Sequence, residues 1–403
     1  VFTVLALKFG WKGIDRLNKR IEARAGAVGA VKALMVVLWF FAYCLIMGLL
    51  FFLATPDYPH FLGYTREGTD NSFDPYSHLT PIAGRFMVNA TVVQAMLGRW
   101  QVLDARAENE VSAGTIPGAI VLPWQALSVG GSALAGQTSE LKEPSELRDL
   151  LFSVGVDASQ PAVVYGLWHG GWGEEGRLFW MLEYLGYNVS NLYCLDGGIH
   201  AWQQEGLTLG SPSAVLRSDA SGSSSSASVG WGAVQDSWRA TTSVVESFLD
   251  NPRVLFLDVR EEPEFDGVPS GDPYGAARSG HVPQAAWWNW REHTLVQGTD
   301  GVMQLRSCAH ILDTLPAFSD EVDEVIMYCT GGIRSGFVYM VLRGCGFGTA
   351  QLNSPNVRNY DASWWGWAAD SALPCRGAGP GCEALPSSSG GTNADNWGGG
   401  SGR

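Results

Sequence analysis

The chain carries the same succession of segments twice, and this repetition constrains its fold more than any other feature. RWQVLDA at 99–105 returns as RVLFLDVR at 253–260, and GTIPGAIVLP at 114–123 returns as GHVPQAAWWNW at 280–290. AVVYGLWHGGWGEEGRLFWMLEYLGY returns as VIMYCTGGIRSGFVYMVLRGCGF. Within the first copy a Glu- and Leu-rich helical stretch at 143–152 precedes the strand PAVVYG, the helix GRLFWMLEYLGY, the strand NLYCLDGG and the helix IHAWQQEG. Short apolar runs alternating with helical segments predict a parallel sheet flanked by helices, and the duplication predicts two such α/β domains in tandem. Composition sets the boundaries: a basic segment at 1–30, an apolar run at 31–54, a proline-punctuated spacer at 55–85, a first domain at 86–209, a Ser/Gly linker at 210–235, a second domain at 236–376 and a disordered tail at 377–403.

The apolar run predicts one N-terminal transmembrane helix. It carries only Lys32 near its start, and at about 1.5 Å per residue it spans a hydrocarbon core of roughly 30 Å. It is also longer than the apolar stretch of a signal peptide, about 7–15 residues. Lys8, Lys12, Arg16, Lys19, Arg20 and Arg24 precede it, while Asp57, Glu67, Asp70 and Asp74 follow. Basic flanks stay on the cytoplasm-like side, so everything from Thr55 onward is expected across a membrane. A mitochondrial inner membrane is the favoured setting, with thylakoid and bacterial inner membranes as alternatives. A net charge of −14 speaks against nucleic acid as a partner. The cysteines, at 44, 194, 308, 329, 345, 375 and 382, lack metal-ligand spacing. Neither a metal site nor a disulfide framework is expected, and the pairing of Cys375 with Cys382 is left open.

The stretch VIMYCTGGIRSGF at 325–337 carries the chemistry. Its first four residues read as a strand buried on both faces, and Gly331 and Gly332 permit a tight turn into a helix. Cys329 then stands at the carboxyl end of a strand, where parallel sheets bind ligands. The N–H groups of Thr330, Gly331, Gly332, Ile333, Arg334 and Ser335 would face it as a ring that stabilises a thiolate or a persulfide. Arg334 is expected to add a fixed positive charge and a planar fork for an oxyanion such as thiosulfate or sulfite.

These motifs, in one order and twice over, resemble the rhodanese superfamily, and more narrowly the two-domain thiosulfate and 3-mercaptopyruvate sulfurtransferases. LDAR, IPGA, GRLFWM and LDGGIHAW resemble the family's non-catalytic domain; LDVREEPEFDG, RSGHVP, CTGGIRS and NYDASWWGWA resemble its catalytic domain. The resemblance implies that Cys329 takes a sulfane sulfur from a small donor as a persulfide and passes it to a thiol or cyanide, with no cofactor. It places Arg278 where an arginine holds an anionic substrate, makes Asp258 and Arg260 supports of the loop and His281 a turn residue, and makes Arg177 a cleft candidate. Cysteine phosphatases share the plan of the loop, but here only Thr330, Gly331, Gly332 and Ile333 separate Cys329 from Arg334, one residue fewer, a ring that suits sulfur better than phosphate.

The sequence also departs from the family pattern. Gly166 replaces the cysteine in the first domain, and Thr330 and Gly331 are neutral where thiosulfate-preferring members have basic residues. Arg334 stands in place of the usual Thr and Glu264 in place of an Arg; Ala362 and Gly366 alter the closing signature. The donor is therefore open between thiosulfate and 3-mercaptopyruvate. The alternative reading is an accessory or docking subunit of a larger respiratory or photosynthetic membrane complex, with little or no activity.

Overall fold

A computed structural model describes residues 86–129, 139–217, 230–268, 274–319, 321–348 and 354–384. The basic segment, the transmembrane helix expected at 31–54 and the spacer lie outside the described residues. Among the described residues no helix is long and apolar enough to cross a membrane.

The first unit runs β1 (Met87–Val88), α1 (Ala90–Met96), β2 (Gln101–Asp104), β3 (Ile120–Val121), α2 (Trp124–Leu127), α3 (Pro144–Ser153), β4 (Ala162–Tyr165), α4 (Glu174–Tyr184), β5 (Leu192–Leu195), α5 (Gly198–Gln204) and β6 (Ala214–Val215). The second runs β7 (Arg239–Ala240), α6 (Thr242–Ser247), β8 (Val254–Asp258), α7 (Glu262–Asp266), β9 (Ala286–Trp287), α8 (Trp290–Thr294), the hairpin β10 (Leu295–Gln297) and β11 (Met303–Leu305), α9 (Cys308–Thr314), β12 (Glu324–Tyr328), α10 (Ile333–Gly344), β13 (Asn356–Tyr360) and α11 (Ser363–Ala369).

The strands assemble in the order β1-β5-β4-β2-β3-β6 in one sheet and β7-β13-β12-β8-β9 in the other, with every neighbour parallel. Apart from β6 the two orders are one order, so the duplication read from the sequence is a duplication of topology. β4 lies at the middle of its sheet and all four of its residues are buried, as expected of a strand covered by helices on both faces. The hydrogen bonds repeat as well. Arg106 forks onto Asp104 and donates to the Gly114 carbonyl at 2.9 Å; Arg260 forks onto Asp258 and donates to the Gly280 carbonyl at 2.6 Å. Each pair ties a strand end to the turn that opens the next strand.

Three expectations about the connecting segments need correction. The linker expected at 210–235 is packed at both ends: β6 adds to the edge of the first sheet beside β3, with Leu216 fully buried. Gly232 and Gln235 donate to the carbonyls of Gly186 and Tyr184 at 2.9 and 2.8 Å. The apolar Ala214–Val215 pair was hidden within a serine-rich composition. The tail expected to be disordered from 377 folds back first: Ala378 donates to Asp266 and Glu383 to Cys375, both at 2.8 Å. Two disulfides also appear. Cys375 bonds Cys382, and Cys308 at the start of α9 bonds Cys345 at the end of α10, with Cα atoms 5.4 Å apart. A separation of 37 residues leaves no spacing signature, so the second pair was not legible.

The two units share one apolar core. Helices α4 and α10, buried along their whole length, cross where neither can carry a side chain. A Cβ on Gly176 would lie 2.2 Å from the Phe337 Cα, and one on Gly336 would lie 2.7 Å from the Arg177 Cα. Across the same seam Arg343 Nη2 meets Glu183 Oε1 at 2.5 Å, Tyr339 donates to Glu183 Oε2 at 3.0 Å, and the guanidinium covers the Trp238 ring at 4.3 Å.

Candidate active site

β12 passes between β8 and β13 and delivers Cys329 to the carboxyl edge of the sheet, where the chain turns at Gly332 into α10. Gly332 holds a φ of +78°, and a Cβ there would lie 2.6 Å from both Arg177 Nη1 and the Asp361 carbonyl, so only glycine serves. Its N–H donates to the Cys329 sulfur at 3.1 Å. The Cys329 N–H donates to Ser363 Oγ at 3.1 Å. Ser335 donates to Asn359 Oδ1 at 2.6 Å, and Asn359 donates back to the Gly332 carbonyl at 3.1 Å, so the turn is braced by β13. Burial pushes the Cys329 thiol pKa up, but the Arg334 charge, the N–H groups of Ser335 and Gly331 and the Ser335 hydroxyl outweigh it, and the net shift is downward. The arrangement favours a buried sulfur anion.

Arg334 does not offer the open positive fork expected of it. Nη1 and Nη2 bind Glu264 Oε2 and Oε1 at 2.7 and 2.8 Å, and Nη2 also reaches Thr330 Oγ1 at 2.5 Å. Thr330 in turn donates to Glu264 Oε1 at 2.6 Å. The guanidinium is flanked by the rings of Trp172 and Tyr274, at 5.7 and 5.5 Å. The two departures noted in the sequence, Arg334 and Glu264, thus meet as one buried ion pair. Burial raises the Glu264 carboxyl, but the Arg334 contacts prevail and hold it below the usual range.

Arg278 also departs from expectation. Its guanidinium is taken up by the carbonyls of Ala368, Leu373, Trp367 and Asp370, so it staples α11 to the folded-back C-terminal segment rather than holding a substrate. Asp258 and Arg260 lie beneath the site, the Arg260 guanidinium stacked 5.0 Å over Trp364, whose backbone N–H donates to the Cys329 carbonyl at 3.0 Å. His281 is a turn residue, with Nδ1 2.7 Å from the Phe265 carbonyl and its ring stacked on Phe265 at 3.8 Å. Ile333 opens α10 with its side chain buried.

Several neighbours were not singled out in the sequence. Ser139 donates to the carbonyls of Gly331 and, at 3.2 Å, Asp361, and the Leu141 N–H reaches Asp361 Oδ2 at 2.8 Å. Arg177, from α4, donates to the Gly331 carbonyl at 3.2 Å, to Ser128 and to the Ser139 carbonyl. It grips the loop from behind instead of facing a cleft. Trp365 covers Gly331 so closely that a Cβ there would lie 2.4 Å from the indole. Under this cover Cys329 is 1% exposed. Asn359 and Ser363 lay within the quoted NYDASWWGWA signature; Ser139 and Trp172 come from the other unit and had no local signal.

In the first unit, the place of the cysteine is filled. A Cβ on Gly166 would sit 1.9 Å from Glu175 Oε2, and neither Glu175 oxygen has a hydrogen-bond partner. Burial, then the neighbouring Glu174 charge, pushes the Glu175 pKa to about 8; burial pushes Glu174 to about 7. This loop holds an acid whose pKa is raised, where the second unit holds a thiol whose pKa is lowered.

Residues 89–205 and 241–370 each match the rhodanese-like domain family model. Among curated proteins, a thiosulfate sulfurtransferase of Pseudomonas aeruginosa is 27% identical over 282 residues, covering 68% of this chain and 89% of the relative. The 3-mercaptopyruvate sulfurtransferase of Escherichia coli K12 is 27% identical over 278 residues, covering 67% and 86%. Among solved structures, wild-type EanB superposes with a TM-score of 0.57 at 19% identity, covering 75% of this chain and 70% of that one, and YnjE with 0.57 at 17%, covering 75% and 69%. These two similarities speak to the fold. With both units matched over their strands and helices, the chain belongs to the rhodanese-like domain family and carries two copies of the domain in tandem.

Proposed function

We propose that this chain is a sulfurtransferase whose second domain carries sulfur as a persulfide on Cys329. The observation that carries the reading is the Cys329 sulfur itself, bonded by the Gly332 N–H at 3.1 Å in a ring that lowers its pKa. The relatives named as thiosulfate and 3-mercaptopyruvate sulfurtransferases support sulfurtransferase activity in general. For thiosulfate, the Cys329 thiolate forms a bond to the outer sulfur, the S–S bond of the donor breaks, and sulfite leaves with the electron pair. For 3-mercaptopyruvate the C–S bond breaks, and the departing enolate takes the thiol proton to become pyruvate. A thiol or cyanide acceptor then attacks the outer persulfide sulfur and regenerates the thiolate, a double displacement through a covalent intermediate. The Gly332 N–H and the helix start stabilise the negative sulfur in both halves of the cycle.

The test is mass spectrometry of the full chain after incubation with thiosulfate or 3-mercaptopyruvate. One added sulfur atom on the Cys329 peptide is expected, and Cys329→Ser should lose both the adduct and the release of sulfite or pyruvate. No adduct with either donor, together with unchanged release in the variant, overturns the reading.

The proposal includes a membrane tether through 31–54, with the sulfurtransferase domains on the side opposite the basic N-terminus and a mitochondrial inner membrane favoured. The two disulfides support an oxidising compartment for these domains. Alkaline carbonate extraction and protease protection test it: release by carbonate, or domains protected together with the N-terminus, refutes the tether. The closed cover over Cys329 favours one second reading, a docking subunit of a membrane complex. Co-purification in a stable assembly with Cys329→Ser fully functional would select it.

A further inference from the structure

Every guanidinium described around the cysteine loop has a carboxylate or carbonyl partner. Arg334 is bound on two nitrogens by Glu264 and flanked by two rings. Arg260 is forked onto Asp258, and Arg239 onto Asp361, with Nε to Oδ1 at 3.0 Å and Nη2 to Oδ2 at 3.0 Å. Arg177 spends its donors on the Gly331 and Ser139 carbonyls and Ser128. Arg291 donates to the Gly171 carbonyl at 2.7 Å and lies 4.6 Å over Trp290. The last two guanidinium groups have carboxylates close enough to interact, Asp361 for Arg177, and Glu261 and Glu174 for Arg291. Among the described residues a small anionic donor therefore finds no unengaged cation beside Cys329, and it approaches a sulfur whose neighbour in the loop, Thr330, is bonded to the Glu264 carboxylate at 2.6 Å. The rim is aromatic instead: Trp172 and Tyr274 stand edge to face at 5.4 Å, and the Trp365 N–H donates to the Tyr274 carbonyl at 3.2 Å.

We propose that Glu264 is a specificity-determining residue that, by closing the fork of Arg334, turns the site away from small anionic sulfur donors, the thiosulfate dianion most of all, and toward persulfides borne on uncharged or cationic carriers. This rests on Cys329 being the sulfur carrier. The reaction it selects is balanced: the Cys329 thiolate attacks the terminal sulfur of R–S–SH, the donor S–S bond breaks, and RS⁻ leaves and is protonated by water. The loop is left as Cys329–S–SH. The aromatic rim suits such carriers, since a ring face attracts a cation and accepts an apolar stem. At an effective dielectric near about 20, one unit charge a few ångströms away shifts a rate by tenfold or more.

The experiment loads the full chain with three persulfides that differ in their terminal group, those of cysteamine (cationic), mercaptoethanol (neutral) and mercaptopropionate (anionic). Each loading rate is divided by that donor's rate with free cysteine, which removes intrinsic reactivity, and thiosulfate is run as a fourth donor. The wild type should favour cationic over neutral over anionic, with at least about tenfold between the ends. Glu264→Gln keeps the shape and a hydrogen bond to Arg334; it should flatten the series and raise kcat/KM for thiosulfate by about tenfold, mainly through KM. A purely structural role for Glu264 would slow all donors alike. Should Glu264→Gln fail to fold, the wild-type series alone decides: an anionic persulfide loading as fast as the cationic one overturns the proposal. If no donor of any charge loads Cys329, the sulfurtransferase reading falls and the proposal with it. If thiosulfate loads the wild type as well as it loads Glu264→Gln, only the role of Glu264 falls.

Discussion

Replacing Glu175 by glutamine should stabilise the protein near about pH 8 and change little near about pH 5. The carboxyl is fully buried and unpartnered, and it fills the space beside Gly166. Burial, then the Glu174 charge, raises its pKa from 4.5 to about 8. In the unfolded chain the group ionises from 4.5 upward, whereas in the fold it keeps its proton to about 8. Between those values the unfolded chain binds fewer protons, so wild-type stability is full below the lower value and is lost as pH rises toward the higher one. The window is 8 − 4.5, or about 3.5 pH units, and at about 1.4 kcal/mol per unit its upper bound is roughly 5 kcal/mol.

Glutamine cannot ionise, so the variant should lose that slope while still presenting an amide of the same size. Urea unfolding of wild type and variant across the window reads the difference directly, and the histidines and Asp196, common to both, cancel. The reasoning is refuted if the two proteins show the same pH slope, or if Glu175→Gln is the less stable of the two at the alkaline end.

Other perturbations probe the seam and the loop. Glu183→Gln leaves the Arg343 guanidinium buried without its ion partner and should cost about 3–5 kcal/mol in denaturant unfolding; a loss below 1 kcal/mol, within the range of exposed pairs, would show that the seam is wet. Gly176→Ala places a Cβ 2.2 Å from the Phe337 Cα, so it should cost at least about 2 kcal/mol, and an unchanged melting temperature would deny the close crossing. Removing the Cys308–Cys345 bond, which spans 37 residues, should lower stability by about 4 kcal/mol on loop-entropy grounds, checked by denaturant unfolding of the Cys308→Ser, Cys345→Ser double variant against the oxidised wild type. The rate of Cys329 alkylation should rise at a pH below that of an ordinary thiol, and Arg334→Gln should move this inflection up; an unmoved inflection would mean that the backbone N–H groups act alone.

How much of this was legible depended on the range of the interaction. The strand ending at Cys329 and the glycine turn are local, made by residues a few positions apart, and the sequence showed them; Asp258 and Arg260 were read as supports of the loop, without the fork that joins them. The duplication showed that two like domains follow one another, because matching segments build matching strands; the order of the strands within each sheet came only with the fold. What failed was long-range pairing. Glu264 and Arg334 stand 70 residues apart, so each was seen as a separate departure, and the cancellation of their charges was visible only once β12 had set α10 above α7. Arg278 failed for a related reason: its partners are main-chain carbonyls of α11 and the residues after it, which carry no side-chain signature. The Ser/Gly linker and the tail were overextended because composition averages over short apolar pieces such as Ala214–Val215.

The first domain's loss of its cysteine does not make it a spare copy. The carbonyl of Gly331, at the tip of the cysteine loop, receives hydrogen bonds from Ser139 and Arg177, both from the first domain. A loop of small residues has carbonyls that must be satisfied once water is excluded, and among the described residues this one is bonded by side chains of the first domain. The same helix that in the first domain presses Glu175 against Gly166 carries Arg177 on to the neighbouring loop and presents Gly176 to Phe337. A cysteine at 166 would have to displace the Glu175 carboxyl from the space it fills. Filling the first loop and bracing the second are thus two consequences of one helix placement, which carries Glu175 into the first loop and Arg177 to the second.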